Sequence, residues 1–164
     1  MRKYLCLPIL AAGLMAGELG CGSASNIPRE PTRVEVFRVS SEQAGPSDAA
    51  KIGGYPILGT GKEQGPEFAA RLSKVLRSDG VTPNRKKCGL QPGVAYRLWN
   101  GNKAVEVLVC FKCDVLWPHV VGEEGVPPHH EWKDFDPVRP ELLALTKEAF
   151  PEDAEIQSLP MHRD

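Results

Sequence analysis

The sequence predicts an α+β domain, a small antiparallel sheet of about four to five strands with two helices packed on it. Three observations predict it. Residues 93–113 hold two alternating apolar runs separated by an Asn-Gly dipeptide, the pattern of a hairpin. Residues 66–80 and 140–150 each place apolar side chains at helical spacing. The resulting order, strand, strand, helix, three strands, helix, groups its strands together as an antiparallel sheet does.

The first strand is expected over Thr32 to Val39, where Val34 and Val36 share one parity and Phe37 and Val39 the other, so both of its faces are expected to be covered. Ser40 to Lys51 reads as a loop. Tyr55 to Thr60, closed by glycines, is either a second strand or an ordered loop. Pro66 suits a first helical position. Behind it Phe68, Leu72, Val75 and Leu76 fall on one side while Arg71, Lys74 and Arg77 face away, and Gly80 is the expected stop.

Gly93 to Asn100 and Lys103 to Cys113 form the strongest strand pair. Alternation sets Val94, Tyr96 and Leu98 on the face of Val105, Val107, Val109 and Phe111, with Arg97 and Glu106 opposite. The turn is expected at Asn100-Gly101; loops of two or four residues both preserve this parity, so the register stays open. Val115 to Val121 reads as an edge strand, because Pro118 has no N–H for a central ladder. Gly122 to His130 is a loop. A final helix follows Asp136-Pro137 over about Pro140 to Phe150, with Asp136 as its expected cap, Leu142, Leu145 and Ala149 on one side and Pro151 at its exit.

The head of the chain has a different character. Arg2 and Lys3 precede an apolar run from Tyr4 to Ala16, the layout of an export signal and shorter than the roughly 20 residues a spanning helix needs. The run ends at Gly17-Glu18-Leu19-Gly20-Cys21, which resembles the lipobox where bacterial lipoprotein signals are cut and the cysteine is acylated with chains such as palmitate. Leu19 stands one place later than the usual leucine. Secretion with cleavage nearby and a retained N-terminal anchor are the alternatives. The expected division is therefore a signal at 1–20, lipidated Cys21 with a flexible tether at 21–31, one domain at 32–151 and a tail at 152–164. The expected address is the cell envelope, membrane-anchored and facing the periplasm or exterior.

Composition excludes little else. A net charge of −1 with 20 basic and 21 acidic side chains lacks the basic bias of nucleic-acid binders, and Arg85-Lys86-Lys87 reads as a solvated loop. No nucleophile motif with its base is present, and no cofactor is implied. Gly59-Thr60-Gly61-Lys62 lacks the first glycine and the final hydroxyl of a phosphate loop. Asp134 and Asp136 could form a carboxylate pair, His129-His130 reads as a solvated pair, and Trp99, Trp117 and Trp132 as packing residues more than a stacking platform.

Cys88, Cys110 and Cys113 are the chemical question. On a regular strand Cys110 and Cys113 point to opposite faces about 10 Å apart, beyond disulfide reach. Cys88 has the parity of Cys113, which leaves a structural disulfide from Cys88 to Cys113 or to Cys110 as the leading reading, and reduced thiols as another. Three thiolates with His119, His129 or His130 could instead complete a zinc shell. A redox pair at Cys110 and Cys113 needs a helix after the first cysteine, which Pro118 argues against.

Gly54-Tyr55-Pro56-Ile57-Leu58-Gly59, Cys88 with Pro92-Gly93, and Val109-Cys110-Phe111-Lys112-Cys113 together resemble a group of uncharacterised bacterial exported and lipid-anchored proteins with GYPxLG, Cys…Pro-Gly and CFxC motifs. The resemblance covers about residues 52–115. Gly89-Leu90-Gln91 lacks an Arg-His pair of that group, so no histidine role carries over. It implies a real domain and an exported address, and no activity. The expected function is a membrane-tethered envelope lipoprotein acting as a non-catalytic binding or structural module, with the membrane as partner through its anchor and further partners open; the alternative is a thiol or metal protein centred on Cys88, Cys110 and Cys113.

Overall fold

The computed structural model describes residues 26–45, 47–121 and 131–162. Its strands are β1 (Arg33–Val39), β2 (Lys51–Ile52), β3 (Tyr55–Thr60), β4 (Thr82–Pro83), β5 (Val94–Asn100), β6 (Lys103–Cys110), β7 (Val115–Val120) and β8 (Lys133–Asp134); its helices are α1 (Pro66–Leu76), α2 (Arg139–Ala149) and α3 (Ala154–Ser158). The strands make one antiparallel sheet of eight in the order β2-β3-β1-β5-β6-β7-β8-β4. This corrects the expected sheet of four to five strands with two helices. Three of the added strands, β2, β4 and β8, are two residues long, too short to show an alternating pattern, and α3 lies in the stretch read as a tail.

The central hairpin follows from its side chains. Val94, Tyr96 and Leu98 stand opposite Val109, Val107 and Val105, and all six belong to one buried cluster. Asn100 pairs with Lys103, so the two-residue turn is Gly101-Asn102, one position later than expected. Gly101 has φ +59°, the left-handed conformation that the first loop position of a primed turn requires.

Both faces of the sheet are covered. On the first lie α1, through Phe68, Ala69, Leu72 and Leu76, and α2, through Leu142, Leu143, Leu145 and Ala149. The buried Tyr96 hydroxyl meets Thr146 Oγ1 on α2 at 2.5 Å, which ties helix to sheet. The second face carries Phe37, Val39, Ala95, Leu108, Cys110, Val115 and Trp117, with Leu90, Trp132, Ile52 and Tyr55 over them. That second core needs no helix. After α1 the chain runs to β4 at the far edge and returns through residues 84–92 to β5, laying Leu90 and Cys88 on this face.

Pro118 is tolerated where it stands because β8 pairs with β7 only at Val115 and Leu116, so the proline's missing donor falls where β7 is an outer strand. The strand expected to reach Cys113 ends at Cys110, which pairs with Val115. Residues 111–114 then form a tight turn in which Asp114 has φ +54°, a conformation aspartate adopts more readily than most residues. The stretches outside the expected domain are packed too: Ile27 and Ile156 are both buried in the first core.

Candidate functional site

The turn after β6 places the cysteines. Because Phe111 to Asp114 leave the pleat, Cys113 comes round to the face of Cys110, and both sit in the second core. Cys113 is disulfide-bonded to Cys88, with the two Cα atoms 6.2 Å apart, within the usual range. The expectation that Cys110 and Cys113 face opposite ways holds only for a strand that continues. Cys110 is a free, fully buried cysteine.

Charged groups surround this bridge. Lys86 Nζ donates to the Cys113 carbonyl at 2.9 Å and reaches Asp134 Oδ1 at 3.1 Å and Asp136 Oδ1 at 2.7 Å. Arg139, the first residue of α2, is buried; its NH1 donates to the Phe111 carbonyl at 2.9 Å and to the Asp114 carboxylate, and its Nε and NH2 donate to the Pro160 carbonyl. Burial, and then a hydrogen bond with Asp136, push the Asp114 carboxyl above its ordinary range, against the opposing pull of Arg139. Lys86, Asp114, Asp136, Arg139, Met161 and His162 line an adjoining cavity of about 570 Å³. Asp136 does not cap the last helix: it heads a short 3-10 turn, Asp136–Val138, and the N-cap of α2 is Val138 without a side-chain cap. Its carboxylate is engaged with Lys86 instead. Asp134 and Asp136 thus converge on an ammonium, which holds them as structural counter-charges more than as an acid–base pair.

A second polar centre lies further along the strands on the face of the second core, beside Leu108 and Trp117. Arg97 stands opposite Glu106, and Glu106 opposite His119, on three adjacent strands. Glu106 Oε1 accepts from Arg97 Nε at 2.9 Å and NH2 at 2.7 Å, and Oε2 from the Gly53 N–H at 2.8 Å, with His119 Nε2 3.0 Å away. Burial pushes this carboxyl up, but the hydrogen bonds from His119, Arg97 and Gly53 outweigh it and hold Glu106 below its ordinary range. Gly53 is required there, since its φ is +54° and a Cβ would lie 2.8 Å from Leu108 Cδ1. His119 stacks on Trp117 with ring centres 4.3 Å apart. Among the described residues His119 Nδ1 and Trp117 Nε1 are buried without a hydrogen-bond partner. Alternation had put Arg97 and Glu106 on one face; only the register and the approach of Gly53 reveal that the pair is buried and shared with His119.

The alternative zinc set of Cys88, Cys110, Cys113 and His119 does not assemble. Cys88 and Cys113 are bonded to each other, Cys110 is in the core and His119 serves Glu106; among the described residues no group of three or more His, Cys, Asp or Glu is placed to hold a metal ion. His129, His130 and Cys21 lie outside the described residues. The Gly61 and Lys62 N–H groups donate to the Val36 and Ala149 carbonyls, both at 2.8 Å, so these two donors are engaged within the fold. Trp117 and Trp132 pack in the second core, and Trp99 lies under the Arg33 guanidinium with its Nε1 donating to Glu35. Among the described residues no helix is long and apolar enough to cross a membrane. Comparison with protein-family models, with curated proteins and with solved structures finds no match.

Proposed function

We propose that the chain is an exported envelope lipoprotein, held to the membrane by lipid on Cys21 and facing the periplasm or exterior, whose folded part is a non-catalytic binding or structural module. The observation that carries this reading is the Cys88–Cys113 disulfide. Disulfides of small domains persist in oxidising compartments, and this one belongs to a chain that starts with a basic pair, a short apolar run and a lipobox-like cysteine. The charged groups beside it support the non-catalytic part. Lys86 and Arg139 are engaged with backbone carbonyls and carboxylates that hold the turn, α2 and the C-terminal segment together, and a group so engaged is not poised to meet a substrate.

The test is expression of the full chain in a bacterium, followed by fractionation, intact mass and thiol alkylation. Expected are loss of residues 1–20, an acylated Cys21 in the membrane fraction, one disulfide and one thiol, Cys110, that reacts only after unfolding. A Cys21→Ser chain should remain unprocessed. An unmodified precursor in the cytosol with every cysteine alkylated would overturn the reading. Turnover of a substrate that depends on a single side chain would overturn its non-catalytic half.

A further inference from the structure

The chain enters the fold along α1. Ile27 is buried in the first core, and Ser73 Oγ on α1 donates to the carbonyls of Pro28 and Arg29 at 2.5 and 3.2 Å. Four residues lie between Cys21 and Asn26, so the five Cα–Cα steps reach at most about 18 Å. Whatever Cys21 is anchored in therefore lies close to this edge of the molecule.

That edge carries a net positive charge. Ala70, Lys74 and Arg77 fall at i, i+4 and i+7 along α1 and its C-terminal cap, so they form one stripe, and the small Ala70 leaves room beside the two cations. Arg29 joins them from the entering segment. Arg29, Ala70, Lys74, Arg77, Ser78 and Asp79 line a notch of about 440 Å³. Among the described residues Arg29, Lys74 and Arg77 make no ion pair, so the notch is net positive despite the Asp79 carboxylate.

Directly beside it is an apolar groove of about 520 Å³ between α1 and α2, sharing Lys74 and Ser78 with the notch. Its floor is Val75, Val138, Ala144 and Leu145, and the Arg71–Glu148 ion pair, 2.7 Å, lies on its rim. A cationic notch continuous with an apolar groove matches a molecule with an anionic head and a hydrocarbon tail. The geometry points to an anionic phospholipid site: the headgroup phosphate lies among Arg29, Lys74 and Arg77, and an acyl chain follows the groove between α1 and α2. The helix layer then faces the bilayer and reinforces a single lipid anchor with a basic patch, as stable attachment commonly requires. The nearness of the bilayer rests on the lipidation of Cys21 proposed above; the phospholipid site itself does not.

The experiment is vesicle flotation of the full chain with phosphatidylglycerol or phosphatidylcholine vesicles. The apolar residues 4–16 contribute alike to every variant, so the anionic-over-neutral preference is the readout. At about 5-fold per cation, Lys74→Gln/Arg77→Gln should lower that preference about 25-fold, whereas the equal charge change Arg85→Gln/Lys87→Gln should leave it nearly unchanged. Ala144→Trp, which fills the groove, should weaken phosphatidylglycerol binding at least 5-fold; Ala144→Leu serves if the tryptophan lowers the melting temperature. Equal losses from both charge pairs would mean diffuse attraction and overturn the site. Loss of the preference to inorganic phosphate at matched ionic strength, with Ala144 variants unaffected, would mean a free-anion pocket and overturn it too. An intact mass with Cys21 unmodified would remove the anchor and leave the vesicle result to stand or fall by itself.

Discussion

Glu106 shows what a single charged residue can hold together in this sheet. Arg97, Gly53 and His119 satisfy both of its oxygens on an apolar face, so Glu106→Gln should cost about 2–3 kcal/mol in urea unfolding at neutral pH. Because its folded value lies below the ordinary range, the stability it contributes is fully present above that range and disappears as pH falls through the depressed value. The gap between wild type and Glu106→Gln should therefore close in acid; a gap independent of pH would show that Glu106 acts by packing alone. Arg139 is the counterpart on the other side of the fold. Arg139→Leu leaves Asp114 buried without its guanidinium and should cost about 3–5 kcal/mol. The double variant Arg139→Leu/Asp114→Asn should recover more than half of that loss, measured by the same unfolding curves, since the uncompensated charge is then gone.

The element that most needs an external tie is the return segment, residues 84–92, which has no regular hydrogen-bonded structure yet covers part of the second core with Leu90. The disulfide supplies that tie by closing a loop with a sequence separation of 25. Cys88→Ala/Cys113→Ala should lower stability by about 3 kcal/mol, and reductant should lower the urea midpoint of the wild type and leave the double variant unchanged. Helix α1 and the β5–β6 hairpin were legible because each is long enough to repeat its period several times: Phe68, Leu72 and Leu76 in the helix, Val105, Val107 and Val109 in the strand. The two-residue strands were not legible, because Lys51-Ile52, Thr82-Pro83 and Lys133-Asp134 carry no periodicity and pair only because tertiary packing brings neighbours to them.

At the scale of the molecule, the two cores share β1, β5, β6 and β7, whose side chains divide between one core and the other. Loss of either face exposes the same strands, so unfolding should be a single cooperative transition. The C-terminal segment takes part in it. Ile156 is buried, Arg38 pairs with Asp153 at 2.9 Å and Arg139 donates to the Pro160 carbonyl. Truncation after Pro151 should therefore cost about 3 kcal/mol and lower the melting temperature by roughly 10 °C. An unchanged melting curve would return residues 152–162 to the status of a tail.

The sequence by itself determined what depends on neighbours a few residues apart: the helical face of α1, the alternation of the β5–β6 hairpin, the glycine-bearing turn between them and the shared parity of Arg97 and Glu106. Tertiary structure alone decided what depends on residues far apart in the chain. It turned Cys113 back toward Cys88 by ending β6 at Cys110, brought Gly53 to Glu106, and set Arg29 beside Lys74 and Arg77. Local periodicity is written in side-chain order, whereas these meetings depend on where strands stop and which edges the chain crosses, and neither leaves a repeating mark in the sequence.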